Sequence, residues 1–445
     1  MRVSILDFNN HLKFQTIFDS FFEHNIWTDE APDFIVDFNE LIHGDRIIRL
    51  TPGRELAEIY EYLETLTPSQ TEWGTLLGVR PLKLVHSLID QGWETEAIKQ
   101  HLARNILLQP QKIELLFETL KHQQAIYRSD RDKLSLFLSI PFCPSICSYC
   151  NFHTKPYQKR LARDYVTVLL QGLKQLGDHL RADERVVDVV YLGGGTPTAL
   201  PPELLGELIS AIDTIIPRSE VKEFTIEAGR IDTFSDRHIE ILETVDRICI
   251  NPQTFNERVL QGVNRAHIHQ TGELIRHFED RGVIVNSDLI AGLPGESVAS
   301  FLDSLDRLID LRPSNITVHN LSQKRGSALR DQPLSESGVR AMLRGGYQAL
   351  RAAGYHPYYL YRQKNMLSHG ENVGYERDTT ACIYNIRMME DAHEIISLGS
   401  NAVSKRIDKT GLRRIQSIKE TTLFMVETQR WQEDLASFFQ SKEAK

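Results

Sequence analysis

The stretch Leu134-Ser-Leu-Phe-Leu-Ser-Ile-Pro-Phe-Cys143-Pro-Ser-Ile-Cys147-Ser-Tyr-Cys150-Asn-Phe152-His153 decides how the chain is read. An apolar run with strand character ends in three cysteines spaced C-x3-C-x2-C, three of the five in the chain. Soft thiolates packed this closely suit an iron–sulfur cluster or zinc. Zinc would need a fourth ligand nearby, and His153 is the available candidate. A disulfide fits poorly, because neighbours in one tight loop meet at the wrong geometry. Cys249 and Cys382 stand alone in apolar or mixed surroundings and are read as small buried hydrophobes. Cys143, Cys147 and Cys150 are therefore the candidate metal ligands.

Working outward, residues 134 to about 320 alternate strand and helix patterns. Strands are expected at 134–140, 186–192, 223–228, 247–251, 283–289 and 315–319, with amphipathic helices between them. Six such units imply a parallel sheet with right-handed crossovers. The alternation alone does not separate an open sheet from a partial barrel. The second strand runs into Gly193-Gly-Gly-Thr-Pro-Thr198, where bare backbone lets a ligand approach closely. No Lys-Ser/Thr follows, so a nucleoside-triphosphate loop is disfavoured. The third strand ends in Glu227, a carboxylate among apolar neighbours whose structural reading is a salt bridge to Arg230.

The chain has 445 residues, a formal charge of −9, 41% hydrophobic and 25% charged residues. That balance describes a globular protein and argues against nucleic acid as the main partner. No stretch reaches the apolar length of a membrane span and no export signal is visible, so the expected location is cytoplasmic. The domain reading is an α+β N-terminal domain at 1–127, a charged linker at 128–133, the strand–helix region at 134–405 and a helical tail at 406–445. The N-terminal segment Trp73-Gly-Thr-Leu-Leu-Gly-Val-Arg80-Pro81 reads either as a Gly/Pro turn with a buried Trp or as a contact for substrate or partner.

The spacing C-x3-C-x2-C at the end of a strand resembles the signature of radical S-adenosylmethionine (SAM) enzymes. That resemblance implies a [4Fe–4S] cluster on three cysteines, one iron left for SAM, and a partial (β/α)6 TIM-like barrel. Asn251-Pro-Gln253, Asn264-Arg265 and Asp288 with Gly292-Leu-Pro294 extend it to the oxygen-independent coproporphyrinogen III dehydrogenase family, which includes haem chaperones. Trp73–Lys83, Tyr359–Met366, Glu371–Tyr375 and Leu398-Gly-Ser400 resemble the HemZ-type branch.

The family likeness assigns SAM contacts to Tyr149, Gly194, Gly195, Thr196, Glu227, Gln253, Arg265 and Asp288, with Ser322 and Val403 at backbone level, and implies two SAM molecules. It implies cleavage of SAM to a 5′-deoxyadenosyl radical and oxidative decarboxylation of coproporphyrinogen III to protoporphyrinogen IX in haem biosynthesis. A low-potential donor such as flavodoxin or ferredoxin would supply electrons. Lys324, Arg325, Arg362 and Lys364 are candidate anchors for a tetrapyrrole's carboxylates. The best-established dehydrogenases carry cysteine where Phe152 stands, and chaperone-like relatives carry Phe. Two alternatives follow: a haem-binding or haem-delivery protein, or radical chemistry on another tetrapyrrole.

Overall fold

The structure is a computed structural model that describes residues 2–5, 11–22, 26–27, 31–37, 39–68, 71–76, 78–150, 152–183, 185–265, 268–322, 328–329, 336–363, 366–409 and 411–440. Its contacts divide the chain into two compact units: Met1–Leu120 with Leu360–Glu371, and Lys121–Tyr359 with Asn372–Lys445. Among the described residues no helix is long and apolar enough to cross a membrane.

In the first unit, strands Ile26–Trp27, Arg2–Ile5, Phe34–Asp37, Glu40–His43 and Arg46–Arg49 form one sheet in that spatial order. Alternation drives it: Val3, Ile5, Phe34, Val36 and Leu41 are buried and pack on Phe14, Ile17, Phe18 and Phe21 of the helix His11–Phe21. Glu40–His43 and Ile26–Trp27 complete that sheet.

Trp73 is 1% exposed, and its indole N–H donates to Glu371 Oε2 at 2.8 Å. Lys112 Nζ lies 2.6 Å from Glu371 Oε1 and 3.2 Å from a Glu72 oxygen. Of the two readings of the Trp73 segment, the structure gives the buried turn. Gly74 sits at φ +52, and a Cβ there would fall 2.2 Å from the Ile106 carbonyl oxygen, so only glycine fits.

The second unit holds the six expected strands: Leu134–Ile140, Val187–Gly194, Glu223–Ile226, Arg247–Cys249, Ile284–Ala291 and Asn315–Asn320. They pair in parallel, each beside the next, as a partial (β/α)6 barrel requires. Glu394–Leu398 adds a parallel strand beside the first, and Asn372–Glu376 an antiparallel strand beside the sixth. The long helix Lys159–Ala182 buries Tyr165, Val166, Leu169, Leu173 and Leu176 along one face.

Two differences from the expected domains stand out. Residues 360–371 group with the N-terminal unit, while the end of the helix Pro110–Arg128 groups with the barrel. The tail is not wholly helical, because Val403–Asp408 and Gly411–Gln416 form an antiparallel hairpin before the helices Thr421–Val426 and Thr428–Phe439.

Charged residues close the barrel at the N-terminal ends of its strands. Arg247, 1% exposed, donates to Glu223 at 3.0 Å, to Asn286 Oδ1 at 2.6 Å and to Asn315 Oδ1 at 3.0 Å. Arg387 reaches Asp188 at 2.6 and 3.0 Å. With charged pairs filling that end, the open chemistry lies at the opposite, C-terminal ends of the strands.

Candidate cluster and cofactor site

The cysteine loop leaves the first strand and is held at both ends. Phe142–Cys143 pairs with Lys155–Pro156, and the Tyr157 N–H donates to the Cys143 carbonyl at 2.9 Å. Tyr165 anchors the strand end below, donating to the Ser139 carbonyl and accepting from the Ser400 N–H, both at 2.8 Å. Leu398-Gly-Ser400 thus serves as a brace for this loop. At its tip, the Ser148 N–H donates to the Val263 carbonyl at 3.0 Å, and Asn264 Nδ2 to that of Ile146 at 2.8 Å.

Cys143, Cys147 and Cys150 line one pocket of about 550 Å³, its open mouth included. Among the described residues no three His, Cys, Asp or Glu converge as ligands to a single ion do. Three thiolates lining one cavity are the donor type that an iron–sulfur cluster takes. His153, the fourth ligand that zinc would need, is exposed and lies off the pocket wall. Burial pushes the Cys143 thiol up and the Cys150 thiol to about 11, so metal binding must displace protons.

Opposite the thiols stands the glycine turn. Gly194 adopts φ +107, and its N–H donates to Glu227 Oε2 at 3.2 Å. A Cβ on Gly195 would fall 2.6 Å from the Phe142 carbonyl oxygen and 3.1 Å from Cys143 Sγ. The Thr196 hydroxyl lies 3.6 Å from the same sulfur. Bare backbone here is what lets the turn and the cysteine loop share one pocket.

Glu227 is pushed up to about 7, first by burial and then by the Asp288 carboxylate. Between the ordinary 4.5 and about 7, the folded protein keeps a proton that the unfolded chain has released. Stability of the metal-free protein therefore falls as pH rises through that window, by up to about 3 kcal/mol. Glu227→Gln should remove this slope, leaving the variant more stable than the parent at pH 8 and little changed at pH 4. Urea unfolding at the two pH values is the check.

The fourth strand supplies acceptors. Asn251 Oδ1 and Gln253 Oε1 both lie in the pocket wall, buried and without a hydrogen-bond partner. Gln253 holds φ +68, outside the usual range for a residue with a side chain, pinned by its N–H to the Asp288 carbonyl at 2.9 Å. Orphaned buried acceptors facing a cavity await a ligand that carries donors, as an ammonium or ribose hydroxyl does. Thiols, bare glycines, a carboxylate and empty acceptors thus fit a cluster with SAM beside it.

Tyr149, Gly194, Gly195, Thr196, Glu227, Gln253 and Arg265 share this wall with the three cysteines. Asp288 lies behind it, its carboxylate 3.3 Å from His319 Nε2. Ser322 follows the sixth strand, and the Val403 carbonyl accepts the Ser397 hydroxyl; neither lines the pocket. Lys324, Arg325 and Lys364 lie outside the described residues.

Arg362 belongs to the N-terminal unit, where it donates to the carbonyls of Leu76, His369 and Gly370 and stacks 5.2 Å from the Trp73 ring. Burial lowers it to about 10. Its donors are engaged within that unit.

Sequence reasoning also missed Asn251, Ser145 and Arg230 as pocket residues. Arg230 does not pair with Glu227; it donates to Asp232 at 2.8 and 2.7 Å. The available signal was position, since both Asn251 and Arg230 follow the ends of barrel strands.

Residues 137–308 match the model of the Radical SAM superfamily. The chain is 36% identical over 369 residues to the oxygen-independent coproporphyrinogen-III oxidase-like protein HemZ of Bacillus subtilis (strain 168), covering 79% of this chain and 74% of that protein. The chain belongs to the HemZ family. It is a radical SAM enzyme, and its cofactors are a [4Fe–4S] cluster and SAM.

The heme chaperone HemW of Escherichia coli (strain K12) is 29% identical and matches 51% of this chain and 61% of its own. The structure of coproporphyrinogen III oxidase (HemN) from Escherichia coli, titled a radical SAM enzyme, superposes with a TM-score of 0.55. It covers 70% of this chain and 72% of its own at 22% identity, which supports the HemZ-family fold and no more.

Proposed function

We propose that this HemZ-family enzyme carries out oxygen-independent oxidative decarboxylation of coproporphyrinogen III to protoporphyrinogen IX. The observation that supports it most is one pocket walled by three cysteines, the glycine turn, Glu227 and the empty acceptors of Asn251 and Gln253. When bound, the reduced cluster and SAM supply a radical that removes a hydrogen atom from a propionate side chain. The propionate then loses carbon dioxide and passes one electron to an acceptor, leaving a vinyl group.

The protein's own work is placement. Cys143, Cys147 and Cys150 hold the cluster. Glu227 would accept from SAM's ammonium group, with Gly194, Gly195 and Thr196 lining the same pocket. Arg265 donates to the Tyr149 hydroxyl at 2.9 Å and to the carbonyls of Gly229 and Asn251, keeping the wall in shape. Gln253, with its backbone at φ +68 and its side-chain carbonyl unpartnered, would accept from donors of SAM. A low-potential carrier such as flavodoxin or ferredoxin supplies electrons, and a cytoplasmic setting suits the five free cysteines.

A second reading, haem delivery by the same scaffold, is favoured by Phe152. It stands at the rim of the pocket 66% exposed and supplies no thiol. Anaerobic incubation of reconstituted protein with SAM, a reductant and coproporphyrinogen III separates the two. Vinyl-bearing product matched to 5′-deoxyadenosine is expected. A stoichiometric Soret band on haem titration, with no vinyl product, would replace the decarboxylation reading by the delivery reading.

A further inference from the structure

The Arg230 guanidinium is a buried cation placed against a cluster ligand. Its side chain is 6% exposed, and Nη1 stands 3.5 Å from Cys147 Sγ, within hydrogen-bond range of a sulfur. Four further contacts fix it there. Nε and Nη2 form a fork on the two Asp232 oxygens at 2.8 and 2.7 Å. Nη1 and Nη2 also donate to the carbonyl and hydroxyl of Ser145, at 3.3 and 3.2 Å. Ser145 lies within the cysteine loop itself. Arg230 thus grips the loop at Ser145 and presents a proton to Cys147 at once.

We infer that Arg230 is a positioning residue that tunes the cluster, raising its reduction potential through a charge-assisted hydrogen bond to Cys147. The inference rests on the cluster assignment made above. Reduction adds one negative charge to a cluster whose thiolates are already anionic. A neighbouring cation stabilises the reduced form more than the oxidised one, and hydrogen bonds to cluster sulfurs shift the potential the same way. Arg265 Nη1 stands farther from the same sulfur, at 3.9 Å, with its donors committed to Tyr149, Gly229 and Asn251. Asp232 opposes Arg230 by neutralising part of its charge, so the pair sets the potential between two limits.

Two variants move the potential in opposite directions. Arg230→Gln removes the cation and should lower the midpoint by about 59 mV or more, the equivalent of a tenfold change in a one-electron equilibrium. Asp232→Asn leaves the guanidinium tied to Ser145 but strips its counter-charge, and should raise the midpoint. The measurement is a redox titration of anaerobically reconstituted protein followed by electron paramagnetic resonance, with iron and sulfide counted for each variant. A merely structural role would change cluster occupancy and leave the potentials of the clusters that form unmoved.

Opposite shifts in four-iron clusters carry the inference. An unchanged midpoint in either variant, or shifts of one sign, overturns it. Should Arg230→Gln fail to hold a cluster, the sign of the Asp232→Asn shift decides alone. Wild-type protein that takes up no four-iron cluster would instead overturn the cluster assignment, which the iron count reveals separately.

Discussion

Protein carrying Cys147→Ser, purified and reconstituted without oxygen, should hold almost no iron–sulfur cluster and should cleave SAM at least about 10²-fold more slowly than the parent. That factor is the upper end of what loss of an outer-shell partner costs a metal site, and a ligand is worth more. Cys147 is the most buried of the three thiols, at 7% exposure, and the one that two guanidinium groups approach. The fold does not depend on it. The loop is also tied down by the Ser148–Val263 and Asn264–Ile146 hydrogen bonds and by Arg230 on Ser145. The variant's unfolding free energy should stay within about 1 kcal/mol of that of metal-free parent, since serine replaces cysteine with little change of volume. Iron content near the parent's would remove Cys147 from the ligand set.

Arg247→Ala should have the opposite signature, damaging the fold from a position at the far end of the barrel from the cysteines. Arg247 and Glu223 are a buried pair, 1% and 4% exposed, and the guanidinium also satisfies Asn286, Asn315 and the Thr380 carbonyl. Glu223 in turn accepts from the backbone N–H groups of Ile383 and Tyr384, both at 3.2 Å. Removing one member of such a pair strands the other in low dielectric and costs about 3–5 kcal/mol. Urea unfolding should show that loss. The double variant Arg247→Met, Glu223→Leu should recover part of it, because neither charge is then left buried alone. A single variant within 1 kcal/mol of the parent would mean that water reaches the floor and solvates Glu223.

The barrel was legible because short strand-like segments with buried apolar residues alternate with amphipathic helices from 134 to about 320. The cysteine loop, the glycine turn and Glu227 were legible because each stands just beyond a strand end, where parallel barrels gather their chemistry. The hairpin Val403–Asp408 and Gly411–Gln416 was not. Its residues include Lys405, Arg406, Arg413 and Arg414, and its strands are held by backbone pairing with little apolar alternation to betray them. The partners of Arg230 and Arg362 were not legible, for one shared reason. A guanidinium has several donors and a long reach, so its partner is set by which acceptors the fold leaves nearby. For Arg230 that was Asp232, two residues on; for Arg362 it was three carbonyls and the Trp73 ring.

The N-terminal marks of the HemZ branch show the same limit. Trp73, Arg362 and Glu371 are scattered along the chain, yet they meet, with Lys112 as a further partner, in one buried network within one unit. Residue types at isolated positions announced that something was specified there. Only the fold shows that the specification is packing and charge pairing inside that unit.

The most direct test of the account is a stoichiometry. Protein reconstituted anaerobically, reduced and given SAM should contain four irons per chain and release methionine and 5′-deoxyadenosine in equal amounts. A protein that holds zinc in place of iron, or one that holds the iron cluster and leaves SAM intact under reduction, would contradict it.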